Sequence, residues 1–196
     1  MSELSGKRVG FCMTGSFCTF SRVLGQLDAL CAAGAQVQGI LSENAYTLDT
    51  RFLPAEEVRR RVEAATGREI WHTLQQVEPI GPKRLLDLVV VAPATGNTLS
   101  KLASGIIDTP VAMAVKSHLR NRRPVLLAVS TNDGLAACAQ NIGRLLNCRN
   151  IYFVPFGQDD PAGKPASLVA HFDRLIPAAE AALRGEQLQP VLLSAP

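Results

Sequence analysis

The sequence predicts one α/β domain, built as a doubly wound, Rossmann-like parallel sheet with helices on both faces. Short apolar segments recur along the 196 residues, and longer segments with helical periodicity separate them. The apolar segments do not alternate with polar residues, which is typical of strands buried on both faces. Strands joined by helices form right-handed crossovers, so the chain winds around both sides of one sheet.

Five apolar segments are the predicted strands. Each is followed by a cluster of small or polar residues, which indicates where the strand ends. The third is the most hydrophobic. The five segments are residues 8–13, 36–41, 86–92, 124–130 and 150–154.

The intervening segments predict six helices. The first begins at Ser21, keeps its apolar residues on one face and ends before Gly34, a typical helix-ending residue. The second opens with Pro54 in its first turn and closes at Gly67. Residues 70–80 are ambiguous between the helical and the strand period. The remaining helices are residues 99–106, 110–119, 135–146 and 166–183.

Composition excludes several classes of protein. A hydrophobic content of 47% argues against disorder, and the apolar runs are far shorter than the roughly 20 residues that cross a bilayer. We expect a cytoplasmic protein that binds no membrane and no nucleic acid, because its arginine clusters lack interleaved aromatic residues. Five cysteines without a CxxC motif indicate reduced thiols and no metal site. With no linker before Gly185, residues 1–185 form the predicted domain and 186–196 a tail.

Four loops at one edge of the sheet predict a small-molecule site. Ligands of open α/β sheets bind outside the carboxyl ends of the strands. Here the loops that follow the strands are rich in small hydroxyl and amide residues and poor in charge. They are residues 14–18, 42–47, 93–98 and 130–134.

The first loop offers a monophosphate site. It lacks GxGxxG and the Walker lysine, but Gly15 and Ser16 stand at a predicted helix N-terminus, where free N–H groups attract anions. The alternative is an ordinary strand-to-helix turn in which Ser16 caps the helix. Ser42, after the second strand, has the same two interpretations.

The third loop suits a flat ring. Its small residues let a ring approach the backbone, while Asn97 and Thr98 offer hydrogen bonds to heteroatoms. Thr95 or Asn97 also suits a helix cap, and the two roles are compatible.

The segment Pro93-Ala94-Thr95-Gly96-Asn97-Thr98 and its continuation to Asp108 resemble the PASANT region of the FMN-binding flavoproteins that include the cysteine decarboxylases. The resemblance implies FMN, with its phosphate on Gly15, Ser16 and Ser42. It implies that the ring lies against Pro93, Ala94, Thr95, Asn97 and Thr98. The decarboxylases' catalytic histidine, near Pro79 here, and their Pro-x-Met-Asn-x-x-Met-Trp segment are absent, so decarboxylation is not implied.

Further segments resemble the family of dipicolinate synthase B subunits: residues 78–83, 108–111, 118–121, 129–133 and 150–161. This resemblance implies oxidation of dihydrodipicolinate to dipicolinate, in the mother cell of a spore-forming bacterium. It also implies a dehydrogenase-like partner, the A subunit of dipicolinate synthase, through which NADP takes part. The flavoprotein resemblance also implies that this chain forms a homo-oligomer.

The resemblance to dipicolinate synthase B subunits implies a dicarboxylate substrate, and a dicarboxylate needs cationic or amide partners. Our candidates are Asn97, Asn132, Lys116, His118 and Arg120. No catalytic residue is identified. Asp133 suits a general base but also a turn, and Cys18 either faces the ligand or is a small buried thiol.

Two other functions remain open. One is a flavin-free accessory subunit that binds and organises the dehydrogenase subunit. The other is a flavoprotein decarboxylase or a prenyl-transfer relative, although the motifs of that group are missing.

Overall fold

Parallel strands form the centre of the sheet in the computed structural model, which describes residues 2–194. The strand order is β2-β1-β3-β4-β7-β6, and β5 also pairs with β4. The first four strands of this order run parallel, as predicted. The strands are β1 (Arg8–Met13), β2 (Gln36–Leu41), β3 (Leu88–Ala94), β4 (Val125–Thr131), β5 (Ile151–Phe153), β6 (Phe156–Gly157) and β7 (Leu168–Ala170).

Two short antiparallel strands extend this sheet beyond the prediction. The first half of β4 pairs in parallel with β5, whereas Ser130 and Thr131 at its end pair antiparallel with β7. β6 then pairs antiparallel with β7. The predicted helix over 166–183 is therefore wrong in its first part, where residues 168–170 are a buried strand. Three apolar residues are too few for a helical period to be told from a strand.

Helices cover both faces of the sheet. α1 and α8 contact each other and β3, and α6 contacts β2, β3 and β4. No helix within residues 2–194 is long and apolar enough to cross a membrane. The helices are α1 (Phe20–Ala32), α2 (Glu43–Thr47), α3 (Ala55–Thr66), α4 (Leu74–Val77), α5 (Gly96–Ser104), α6 (Pro110–Leu119), α7 (Ala139–Leu146) and α8 (Leu175–Leu183).

Local signals set several of the helix ends. Gly67 ends α3 with a φ of 64°, a left-handed conformation that glycine adopts without strain. The ambiguous residues 70–80 form a bridge through Trp71, the single turn α4 and a 3-10 turn. α7 begins at Ala139 rather than at Leu135, because the N–H groups of residues 136 and 138 bond to the carbonyl of Asp133 in a turn.

The tail packs onto the edge of the sheet as far as the structure describes it. The Gln187 side chain accepts a hydrogen bond from the Phe153 N–H and donates one to the Phe153 carbonyl, at 2.7 and 2.8 Å. Leu193 donates its N–H to the carbonyl of Phe156 at 3.0 Å. The last two residues of the predicted tail lie outside the described residues.

An ion-pair cluster fixes the amino end of β3. Asp87 accepts hydrogen bonds from the Arg8 N–H at 3.0 Å, from the Arg8 guanidinium at 2.8 and 3.1 Å, and from Arg123 at 2.9 Å. These donors stabilise the carboxylate, and the Arg8 side chain is the largest cause that lowers the pKa of Asp87 to about 2.

We expect Asp87→Asn to lower the free energy of unfolding by about 2 kcal/mol at pH 7. The pKa of Asp87 is lower in the folded chain than in the unfolded one, so its contribution is present above pH 4 and is lost as the pH falls toward 2. Urea unfolding of the wild-type protein and of Asp87→Asn between pH 7 and pH 3 measures the difference in the free energy of unfolding. Glu57→Gln, which removes an exposed partner of Arg60, is the control and should change little. A difference that stays constant with pH would contradict the assignment.

Candidate functional site

A cleft of about 820 Å³ lies at the carboxyl ends of β1, β3 and β4, where the sequence predicts a ligand. Three of the four predicted loops contribute to its walls, together with two connections that the sequence analysis did not single out. The lining residues are Gly15, Ser16, Phe17, Cys18, Arg51, Phe52, Thr95, Gly96, Asn97, Ser100, Ser130, Thr131, Asn132, Asp133 and Lys164.

Hydroxyl groups tie the ends of these strands together. Thr14 donates from Oγ1 to the carbonyl of Pro93 at 2.6 Å, and the same oxygen accepts from the N–H of Thr95 at 3.1 Å. Ser16 Oγ lies 2.7 Å from Ser130 Oγ, which connects the loops after β1 and β4 across the end of β3. The floor of the cleft is therefore held by short polar contacts rather than by loop packing alone.

Ser16 does not cap a helix. α1 begins at Phe20, after a 3-10 turn over Phe17–Thr19, and the Ser16 side chain makes no capping hydrogen bond to that turn. Ser16 and Gly15 instead line the cleft. Of the two interpretations of this loop, the helix cap is wrong, and phosphate binding stays a prediction.

Ser42 does act as a cap. Its Oγ accepts from the N–H of Ala45 at 3.3 Å and so begins α2. Its N–H bonds to the carbonyl of Met13, which holds the end of β2 against β1. Ser42 is not among the lining residues, although Asn44 lies beside Gly15. A phosphate contact by Ser42 stays a prediction.

Some residues of the third loop are buried beneath the cleft, and others line it. Pro93 and Ala94 are the buried end of β3, and Thr98 is buried as well. Thr95 caps α5, because its Oγ1 accepts from the N–H of Thr98 at 3.3 Å. Thr95 also lines the cleft, together with the exposed Asn97. Thr95 therefore combines the two roles that the sequence suggests for this loop, whereas Asn97 only lines the cleft.

The fourth loop carries a fixed carboxylate. Thr131 donates from Oγ1 to Asp133 Oδ1 at 2.5 Å, and the exposed Asn132 stands between them in sequence. Gly96 makes room for this pair: a Cβ atom there would lie 2.7 Å from Thr131 Oγ1 and 2.9 Å from Asp133 Oδ1. Asp133 is the one acidic side chain among the described residues that line the cleft.

Three predicted substrate residues, Lys116, His118 and Arg120, lie elsewhere. They stand at the carboxyl end of α6, which returns antiparallel to the strands and so ends near their amino edge. His118 is 1% exposed. Burial lowers the pKa of His118 to about 4, and the charge of Arg123 adds to this. Within one chain these residues do not line the cleft, and substrate binding by them stays a prediction.

Four lining residues lie outside the predicted loops, and one of them, Ser100, is on α5. Arg51 and Phe52 come from the connection between α2 and α3, with the guanidinium 4.8 Å from the ring centroid of Phe52. Lys164 comes from the connection between β6 and β7, and its Nζ lies 3.6 Å from Asp159 Oδ2. Neither connection carries a sequence signal of its own, because only the path of the folded chain brings it to the cleft.

The segment after β5 packs on its own domain. Residues 153–157 are buried, and Phe153 and Phe156 contact each other with ring centroids 5.8 Å apart. The apolar half of this segment therefore belongs to the core and is not an exposed docking surface.

A parallel sheet with a hydroxyl-lined cleft at its carboxyl edge is typical of α/β proteins that bind a cofactor or another small molecule there. The chain belongs to the flavoprotein family, whose family model matches residues 1–170.

The comparisons with individual proteins confirm both sequence resemblances. The chain is 47% identical over 193 residues to the dipicolinate synthase B subunit of Bacillus subtilis, covering 98% of this chain and 96% of that protein. It is 45% identical to the crystal structure of the dipicolinate synthase B subunit from Bacillus halodurans, with a TM-score of 0.91 and complete coverage of both chains. The FMN-dependent cysteine decarboxylase SpaF has a TM-score of 0.62, 19% identity and coverage of 92% and 97%, which shows the shared fold.

Proposed function

We propose that this chain is the flavin-binding subunit of a dipicolinate synthase. With a dehydrogenase-like A subunit, it oxidises dihydrodipicolinate to dipicolinate in the cytoplasm of a sporulating mother cell. The observation that carries the proposal is the 47% identity to a dipicolinate synthase B subunit over nearly the whole of both chains. The cleft is the place in this chain where the reaction would occur.

The residues present fit FMN. A volume of about 820 Å³ is within the range of cofactor sites, and the walls are largely neutral hydroxyl and amide groups. Gly15 and Ser16 would hold the phosphate, with Ser42 behind them. The ring would lie against Thr95 and Asn97, with the buried Pro93, Ala94 and Thr98 behind them. When bound, FMN supplies a ring that accepts a hydride.

The chain's own residues bind and orient the substrate and hold the proton. Oxidation of the dihydro ring removes a hydride and a proton. The amide groups of Asn97 and Asn132 donate to the substrate carboxylates. Asp133 is the carboxylate placed to accept the proton at Oδ2, since its Oδ1 is engaged by Thr131. NADP enters through the A subunit, and several copies of this chain assemble around the site.

A second function has one observation in its favour. Near the position where cysteine decarboxylases carry their catalytic histidine, this chain has Pro79, within the 3-10 turn Glu78–Ile80. A flavin-free subunit that organises the dehydrogenase subunit needs no such group.

A visible absorption spectrum separates the two functions. We expect the purified chain, after addition of FMN and removal of the excess, to retain a flavin band that bleaches when dihydrodipicolinate is added with the A subunit. No retained flavin, alone or with the A subunit, would favour the accessory function instead.

We expect Asn97→Asp to lower the affinity for dipicolinate by at least tenfold, because a second carboxylate beside the ligand repels it. Titration calorimetry on the full chain measures the change. Asn147→Asp, which adds the same charge after α7 near the amino edge of the sheet, is the matched control and should keep the wild-type affinity. Equal affinities of the Asn97→Asp and wild-type chains would remove Asn97 from the site.

A further inference from the structure

We propose that Lys164 binds one carboxylate of the substrate and gives the cleft its preference for a dicarboxylate. This inference rests on the proposed function and adds to it a residue that no sequence motif indicates. Lys164 lies on the connection between β6 and β7 and lines the cleft beside the end of β4.

The two cations of the cleft come from connections on opposite sides of the sheet. Arg51 lies between α2 and α3, which both contact β2, so it comes from the side of β2 and β1. Lys164 lies on the side of β4 and β7. Four strand spacings separate β2 from β7, which places their ends roughly 19 Å apart. A six-membered ring with two carboxylates spans roughly 7 Å, given bond lengths of about 1.5 Å. A substrate beside β4 therefore meets Lys164, and Arg51 is left for the phosphate end.

The charges beside β4 require such a cation. Asp133 is held there by Thr131 and repels an arriving dicarboxylate. Asn132 and Asn97 offer neutral donors, which do not offset that charge. Among the described residues that line the cleft, Lys164 is the cation on the side of β4. Its ammonium group supplies the positive charge that offsets Asp133.

Lys164 is free to change partners. Its Nζ is 3.6 Å from Asp159 Oδ2, beyond direct hydrogen-bond length, and its side chain is 56% exposed. Because the pair with the partly buried Asp159 is long and its lysine end is exposed, a substrate carboxylate at hydrogen-bond distance would be the stronger partner of Lys164.

Comparison of two ligands isolates the role of Lys164. Dipicolinate has two carboxylates, and pyridine-2-carboxylate has one, which the asparagines can bind. A hydrogen bond to a charged group contributes about 1.5–3 kcal/mol, equivalent to roughly 10- to 100-fold in affinity. We expect Lys164→Gln to weaken dipicolinate binding by this factor and to leave pyridine-2-carboxylate binding unchanged. Lys164→Arg should restore part of the loss.

Titration calorimetry of the full chain with both ligands is the experiment. Lys83→Gln, an exposed lysine near the amino edge of the sheet, removes the same charge and should bind both ligands as wild type does. If Lys164→Gln loses affinity equally for both ligands, or loses affinity for neither, the role of Lys164 is overturned while the proposed function stands. A wild-type chain that binds no dipicolinate overturns the proposed function, and this inference with it.

Discussion

Gly96→Ala is expected to lower the affinity of the cleft for its ligands by about 10- to 100-fold and the free energy of unfolding by about 1–3 kcal/mol. The added Cβ would lie 2.7 Å from Thr131 Oγ1 and 2.9 Å from Asp133 Oδ1, closer than carbon and oxygen atoms pack. Thr131 ends β4 and is β-branched, so its side chain has few alternative rotamers. Thr131 Oγ1 and Asp133 Oδ1 must therefore move away from Gly96, which shifts the carboxylate within the cleft.

Gly143→Ala is the matched control for this substitution. Gly143 also lies in a helix, but a Cβ there meets nothing within 4 Å. Because alanine restricts the unfolded chain more than glycine does, Gly143→Ala should stabilise the protein by about 0.4–1 kcal/mol and leave ligand binding unchanged. Urea unfolding and titration with dipicolinate measure both effects. If Gly96→Ala behaves like Gly143→Ala in both measurements, the close approach of α5 to the β4 loop is not required.

His118 is expected to make the protein lose about 3 kcal/mol of stability between pH 6.5 and pH 4. Its side chain is 1% exposed, and its Nε2 has no hydrogen-bond partner within the described residues. The pKa of His118 is about 4 in the folded chain and about 6.5 in the unfolded one. Below pH 6.5 the unfolded chain binds the extra proton first, so acid favours unfolding until the folded histidine is protonated as well.

Two measurements test this assignment. Proton NMR, with His118→Phe used to assign the signal, should show that His118 is still neutral at pH 5. In His118→Phe, the loss of stability that His118 causes over this range should be absent. The contribution of Asp87 is lost at lower pH, since that carboxylate begins to be protonated only below pH 4. Titration of His118 near pH 6.5 would contradict the assignment.

The sequence determined the parallel centre of this fold. Burial on both faces leaves continuous apolar runs, and for this reason β1 and β2 begin and end at the predicted residues. The end of α3 at Gly67 was equally local, because it depends on the conformation of one residue. The position of the cleft followed from a rule about strand ends, which needs only the order of strands and helices.

The position of Lys116, His118 and Arg120 is also a matter of topology. A helix that connects two parallel strands returns antiparallel to them, so residues at its carboxyl end lie at the amino edge of the sheet. The predicted order of strands and helices therefore separates these residues from Asn97 and Asn132.

Other features depended on contacts between distant parts of the chain. The strand β7 forms because Ser130 and Thr131 pair with residues 168 and 169, a partnership that three apolar residues cannot signal. Arg51 and Lys164 reach the cleft because two long connections fold toward it. The sequence by itself determined the five parallel strands, the longer helices and the edge of the sheet where the cleft lies, since periodicity records which residues are buried. Only the tertiary structure decided which charges line that cleft, because the path of an irregular connection depends on everything it packs against.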